Sequence, residues 1–363
     1  MGLTLSVDGE RWRRHLRGVA ESTPGLVPVL KGNGYGFGIG RLARRSSWLA
    51  DQGFDVDTVA VGTYEELPEV AQRFPGDLLV MAPWRPFGAA LEVPEELAGR
   101  VIHTVGREQD LPDLLGRQRS ARFVLEHLTS MRRHGLSGPG LRTTAEWLAG
   151  ARAGRLEGIA LHLPLAQGSH LGEVRRLFND IVGAGLASGG SGSEPVTVWV
   201  SHLTPEELTT LRGSYADFRI RPRIGTGLWL GDRGALRVTA TVLDVHEVDR
   251  GEAFGYRGRS APKAGHLLVV TGGTAHGIGL ESPTSDTSLK ARAATLARGG
   301  LDAVGFVRSP FTIDGKQRLF AEPPHMQASM LFLPQGARVP MVGEEIDVRV
   351  RYTATGFDRV LIS

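Results

Sequence analysis

The feature that most constrains the fold is a rhythm. From about residue 25 to residue 230, short apolar runs alternate with Arg-, Ala- and Leu-rich segments of helical spacing. The pattern predicts strands over 26–30, 58–62, 78–82, 101–104, 123–126, 158–162, 196–202 and 218–224. Helices are expected between them, as at 41–51, 64–72, 145–153, 171–182 and 205–211. Eight such alternations over roughly 200 residues match the size and order of a (β/α)8 barrel. A doubly wound sheet is the competing arrangement. Its Gly-x-Gly-x-x-Gly fingerprint opens the first helix, with an acidic residue about 20 positions further on. Gly34, Gly36, Gly38 and Gly40 approach that spacing without matching it, and the embedded Lys-x-x-x-Tyr is foreign to it.

After Gly231 the texture changes. Runs at 236–246, 266–271, 330–333 and 346–353 are β-branched and strand-like, with few helical segments between them. The expected fold class is therefore α/β: an N-terminal (β/α)8, TIM-like barrel over residues 1–234, followed by a C-terminal mainly β domain over 235–363. The Gly/Ser-rich stretch at 187–194 reads as a surface loop of the barrel, because the alternation resumes after it.

Composition narrows the chemistry. Hydrophobic content of 41% and charged content of 22% describe an ordinary globular chain. The net charge is +3 and the basic residues are scattered arginines, so nucleic-acid binding is not expected. No apolar run approaches about 18 residues, so no membrane span is expected either. The chain has no cysteine, which excludes disulfides, thiolate metal sites and cysteine nucleophiles. Residues 1–17 are polar and charged and lack a secretory apolar core, so the expected compartment is the cytoplasm.

The chemistry concentrates at residues 27–38, Val-Pro-Val-Leu-Lys-Gly-Asn-Gly-Tyr-Gly-Phe-Gly. An apolar strand ends on Lys31 and a glycine-rich turn carrying Tyr35 follows. Lys31, Lys263, Lys290 and Lys316 are the only lysines among 42 basic residues, so arginine is the default cation of this chain. Lysine can lose its proton and form a Schiff base with an aldehyde, which arginine cannot. Lys31 is thus either a surface cation at the mouth of a barrel or an amine used for covalent chemistry.

This segment resembles the Val-Val-Lys-Ala-Asn-Ala-Tyr-Gly-His-Gly pattern of the alanine racemase family, the fold-type III pyridoxal-phosphate enzymes; Phe37 stands in place of the histidine. Further resemblances follow in order. Val59–Leu67 is similar to the family's second strand and following helix. Leu128–Gly135 resembles Asp-Thr-Gly-Met-x-Arg-x-Gly, and Leu156–His162 resembles Leu-x-Gly-x-x-Thr-His. Arg223–Trp229 resembles Arg-Pro-Gly-Ile-x-Leu-Tyr. In the second domain Gly255–Gly258 resembles the Ser-Tyr-Gly segment, Gly273–Gly277 resembles Gly-Tyr-Ala-Asp-Gly, and Met326 and Met330 suit Met-Asp-x-x-x-Met.

The resemblance implies a pyridoxal 5'-phosphate enzyme that interconverts L- and D-amino acids by two-base proton transfer. Lys31 is then the Schiff-base amine and the base on one face of the substrate α-carbon. Tyr256, from the partner chain of a homodimer with shared sites, is the base on the other. His162 and Arg223 would lie behind that tyrosine, with Arg223 facing the pyridine nitrogen; Arg219 and Arg221 share its strand face and are rivals for the place. Tyr35, Thr204, Gly225 and Thr226 are the implied phosphate contacts. Arg133, with Arg132 as its rival, and Met326 are the implied substrate contacts. The substrate is expected to be a small amino acid.

Several positions depart from the family pattern. Thr204 stands near the missing phosphate-binding serine, Leu128 and His276 replace aspartates, Thr274 replaces a tyrosine, and Gln327 follows Met326. The alternatives are a divergent pyridoxal-phosphate-binding protein without racemase activity, or a fold-type III enzyme with an unusual amino-acid substrate. No metal site is expected: His202 and His276 alone do not make one.

Overall fold

The computed structural model describes residues 2–151, 153–165, 168–187, 195–280 and 307–363. Lys290 and residues 188–194 of the expected surface loop lie outside the described residues. The chain opens on strand β1 (Thr4–Val7) and a helix at Gly9–Ser22. The next eight strands are β2 (Val27–Leu30), β3 (Thr58–Val61), β4 (Asp77–Pro83), β5 (Val101–Val105), β6 (Arg122–His127), β7 (Arg155–His162), β8 (Val196–Ser201) and β9 (Phe218–Ile224). They pair in parallel and in sequence order, and β9 closes on β2, which makes a barrel.

Intervening helices cover the barrel. Ile39–Asp51 buries Leu42, Ala43, Ser46 and Leu49, the one-sided stripe a covering helix requires. The helix expected at 145–153 runs over Gly138–Ala151 instead. Its Gly-Pro-Gly start reads as a break in the sequence, but proline is tolerated in a first helical turn, where its missing N–H has no helical partner to lose.

The barrel interior is a packed core. Val27, Val29, Ala60, Leu79, Ile102, Val124, Ala160 and Trp199 fill it, with Met81 against them. At the N-terminal ends of the strands, ion pairs brace neighbours: Arg122 pairs with Asp77 and Glu157, each at 2.6 Å. Arg221 lies over the Trp199 ring and pairs with Asp57.

The second unit contains β10 (Leu236–Val248), β11 (Ala253–Phe254), β12 (Arg259–Ser260), β13 (Gly265–Thr271), β14 (Arg308–Ile313), β15 (Lys316–Phe320), β16 (Ala328–Pro334), β17 (Glu345–Val348) and β18 (Arg359–Ile362). Its main sheet has the order β13-β16-β15-β14-β17-β10-β1-β18, and β13 also pairs with β10. A bulge between Val242 and Asp244 bends the 13-residue β10, so one half pairs with β1 and the other with β13.

The compact units are Arg14–Gly231, the barrel, and Met1–Arg13 together with Asp232–Ser363. The expected boundaries of 1–234 and 235–363 count the first residues with the barrel. Pairing places them otherwise: β1 runs antiparallel to β10 and parallel to β18, so the opening strand is an interior strand of the β unit.

Candidate functional site

The site is built by the layer of side chains just above the barrel core. Side chains two residues apart on a strand share a face. Stepping two residues from Val29, Val124, Ala160 and Trp199 reaches Lys31, Glu126, His162 and Ser201, all at the C-terminal ends of their strands. Arg223, two residues beyond Arg221, joins them, and the register pairs it with Ser201 and Val27. The C-terminal end of such a barrel is where βα loops meet and where functional side chains collect.

Lys31 reaches solvent at this mouth. Its pKa is nevertheless lowered, first by loss of water around it and then by the charges of Arg133 and Arg223, with Glu66 acting the opposite way. Glu66 ties the loops together: its carboxylate accepts N–H bonds from Gly32 at 2.7 Å, Gly62 at 2.6 Å and Thr63 at 3.2 Å. Strand β2 is fixed from below by Trp229, whose indole N–H donates to the Val29 carbonyl at 2.7 Å.

Tyr35 follows in a left-handed turn, φ 55°, an uncommon conformation for a residue with a side chain. Its ring is buried and its hydroxyl occupies the place that a Cβ on Gly225 would take. Burial, reinforced by Glu66, raises the phenol's pKa, so the group stays protonated and able to donate. Thr226 is exposed next to it. Thr204 caps the helix Pro205–Ser214: its hydroxyl oxygen accepts the Glu207 N–H at 3.2 Å, and Glu207 answers by accepting the Thr204 N–H at 3.0 Å. The same hydroxyl also bonds the Glu206 carboxylate, whose pKa is lowered by its own backbone N–H and by this bond, so the side chain is committed to its own helix.

The three candidate arginines of β9 separate cleanly. Arg219 is half exposed and lies near Asp55 and Asp57, and Arg221 turns to Asp57, Thr58 and the Gly25 carbonyl at the far end of the barrel. Arg223 is buried at the mouth; one nitrogen donates to the Leu161 carbonyl at 3.1 Å and its Nε has no partner. Burial lowers its pKa to about 10, opposed by Glu126. In the loop after β6, the charge felt at Lys31, His162 and Glu126 is that of Arg133. Its neighbour Arg132 sits at φ 50° and is exposed.

His162 is nearly buried and neutral: burial, then Arg223, Arg133, His202 and Lys31, pull its pKa down to about 3. The His202 ring lies 5.1 Å from it, centroid to centroid. Three contributors carry no signal as site residues in the sequence. Glu66 and Glu126 sit in no motif of catalytic type. Glu126 is a buried carboxyl inside the barrel with one oxygen unpartnered; burial raises its pKa against the pull of Arg223, Arg133 and Arg85. His202 has φ 67°, a strained conformation that a sequence does not reveal.

Tyr256 and Met326 belong to the β unit, where both are strongly exposed. His276, in place of the family aspartate, is buried there and bonded to Asp358 at 3.1 Å. Among the described residues no group of three His, Cys, Asp or Glu could hold a metal ion, and no helix is long and apolar enough to cross a membrane.

An eight-stranded parallel barrel followed by a β unit has counterparts among known proteins. The family model described as alanine racemase, N-terminal domain, matches residues 7–189. The chain belongs to the alanine racemase family. The alanine racemase of Bartonella henselae, solved with covalently bound pyridoxal phosphate, superposes with a TM-score of 0.70 at 16% identity, over 100% of both chains. That of Streptomyces lavendulae, a D-cycloserine producer, gives 0.68 at 17% identity, over 100% of this chain and 97% of the other. The E. faecalis alanine racemase gives 0.65 at 17%, over 100% and 98%. A search of curated protein sequences found no match. At these identities an alanine racemase fold is shared along the whole chain, with a sequence that has diverged far from its relatives. The family match ends at residue 189, so Arg223, Tyr256 and Met326 lie beyond it.

Proposed function

We propose that the chain is a pyridoxal-phosphate-dependent amino-acid racemase for a small amino acid, working as a cytoplasmic homodimer with sites shared between chains. The observation that carries this reading is Lys31: an amine of depressed pKa at the C-terminal end of β2, within reach of the charges of Arg133 and Arg223.

The residues present fit the cofactor. It needs an amine for its aldehyde, donors for its phosphate and a partner for its ring nitrogen. Lys31 supplies the amine. The Tyr35 hydroxyl packed on Gly225, with Thr226 and Thr204 beside it, would receive the phosphate. The buried, unpartnered Nε of Arg223 is a donor suited to the ring nitrogen, and a guanidinium that keeps its proton leaves that nitrogen unprotonated. Pyridoxal phosphate held there would supply an aldehyde for the substrate's amino group and an electron sink that acidifies the α-carbon.

Arg133 would hold the substrate carboxylate, and Met326 would contact the substrate. Lys31, displaced as a free neutral amine, takes the α-proton on one face while the Tyr256 phenol of the partner chain gives a proton on the other. In the reverse direction the two exchange roles. The depressed pKa of Lys31 favours the neutral amine that this step needs.

Borohydride treatment of the cofactor-loaded protein should leave a pyridoxyl group on Lys31 by peptide mass; an unmodified Lys31 rules the cofactor role out. Racemisation should fall at least 100-fold in Tyr256→Phe, and an unchanged rate removes the two-base reading. The commitment of Thr204 to a helix cap favours one second reading, a cofactor-binding protein without racemase activity. A bound cofactor with no turnover across a panel of L- and D-amino acids identifies it.

A further inference from the structure

Tyr256 stands on the turn between β11 and β12 and is 86% exposed. A side chain so exposed is ordinarily free to change rotamer, which suits neither a proton donor nor an acceptor that must meet one carbon atom. The turn itself is held. Gly255 has φ 70°, and the Glu322 carboxylate fills the space that a Cβ there would need. Glu322 Oε2 accepts the Tyr256 backbone N–H at 3.0 Å. The other oxygen, Oε1, lies 2.6 Å from Nε2 of His325. The His325 ring in turn packs against the Tyr256 ring, centroids 4.6 Å apart and planes inclined by 56°.

One carboxylate therefore grips both ends of the arrangement, the backbone under the tyrosine and the imidazole beside it. Its side chain is only 3% exposed, whereas the imidazole is 30% exposed. A buried carboxylate is retained where its bonds are made, and here each oxygen has one. An imidazole nitrogen that faces a carboxylate donates its N–H to it, which fixes the orientation of the ring.

We infer that Glu322 and His325 are positioning residues for Tyr256, a carboxylate–imidazole support that holds the phenol in the orientation proton transfer requires. The inference rests on the two-base reading given above. Neither residue needs to touch substrate; both act through the tyrosine.

The test is a double-mutant cycle in the full chain loaded with pyridoxal phosphate. His325→Phe keeps an aromatic ring beside Tyr256 and removes the bond to Glu322. Glu322→Gln keeps an acceptor for the backbone N–H and removes the charge. Each should lower kcat for racemisation 10-fold or more, change KM less than 2-fold, and leave the cofactor absorbance of the resting protein unchanged. In a Tyr256→Phe background, the same changes should alter residual exchange of the α-proton with deuterated solvent less than 2-fold, because the residue they support is gone. His325→Gln, on a partly exposed position, replaces His325→Phe if that protein does not fold.

Equal losses with and without Tyr256, or a loss of cofactor absorbance in the single variants, overturn the inference and mark the pair as general structure. A slow Tyr256→Phe protein beside undiminished His325 and Glu322 variants overturns the inference and leaves the two-base reading standing. An undiminished Tyr256→Phe protein overturns both.

Discussion

Burial of imidazole sets a sign for the response to acid. The His103 ring, 1% exposed and bonded to the Tyr64 hydroxyl at 2.9 Å, has its pKa lowered to about 4, and that of His162 falls to about 3. Both lie below the ordinary value of 6.5, so between pH 6.5 and about pH 4 the unfolded chain binds protons that the folded chain refuses. Stability is complete above that window and is lost as pH falls through it. His103 should approach the limiting slope of about 1.4 kcal/mol per pH unit. Urea unfolding of the cofactor-free protein at pH 7, 6, 5 and 4.5 checks this, and His103→Gln should flatten the acid limb. At Gly225 the expected effect is on binding. Ala there displaces the Tyr35 hydroxyl and should weaken pyridoxal phosphate about 10-fold or more, which corresponds to ~1.4 kcal/mol. Gly227→Ala, whose Cβ would meet only Ile224 at 3.5 Å, is the matched control.

Among the elements, the eight barrel strands were legible because each is a short apolar run punctuated by helix, and their positions follow the expected ones to within a few residues. Strand β1 was not. It is four residues long and its partners lie more than 200 positions away, so no local pattern announces it. The site was legible to the extent that its residues sit in ordered motifs. Lys31, Arg133, His162 and Arg223 could be named from such motifs, and the structure brings all four into one electrostatic cluster. Choosing among the arginines of β9 needed the structure, because strand alternation gives all three the same face. Glu66 and Glu126 act by closing loops and by burial, which are properties of assembled strands rather than of spacing. Gly158 illustrates what an element can tolerate. It has φ 129° beside the register shift between β6 and β7, and a Cβ would collide with the Thr197 carbonyl. Gly158→Ala should cost roughly 1–3 kcal/mol or more, seen as a lowered urea midpoint.

At the scale of the molecule, the β unit is assembled from both parts of the sequence that flank the barrel. Shortening the chain by residues 2–7 removes the strand that joins β10 to β18. The expected result is earlier unfolding and proteolysis of the β unit, with barrel fragments surviving; limited proteolysis with mass spectrometry separates this from uniform loss.

The position of β1 also bears on synthesis. It leaves the ribosome before the barrel, yet both of its partners follow the whole barrel. At about 5–20 residues per second, the 229 positions from Val7 to Leu236 take roughly 11 to 46 seconds to translate. Throughout that interval the barrel strands are emerging and closing while β1 stays unpaired, an apolar strand edge open to wrong partners. The nascent chain thus carries its own piece of unfinished sheet past a domain that is free to fold first.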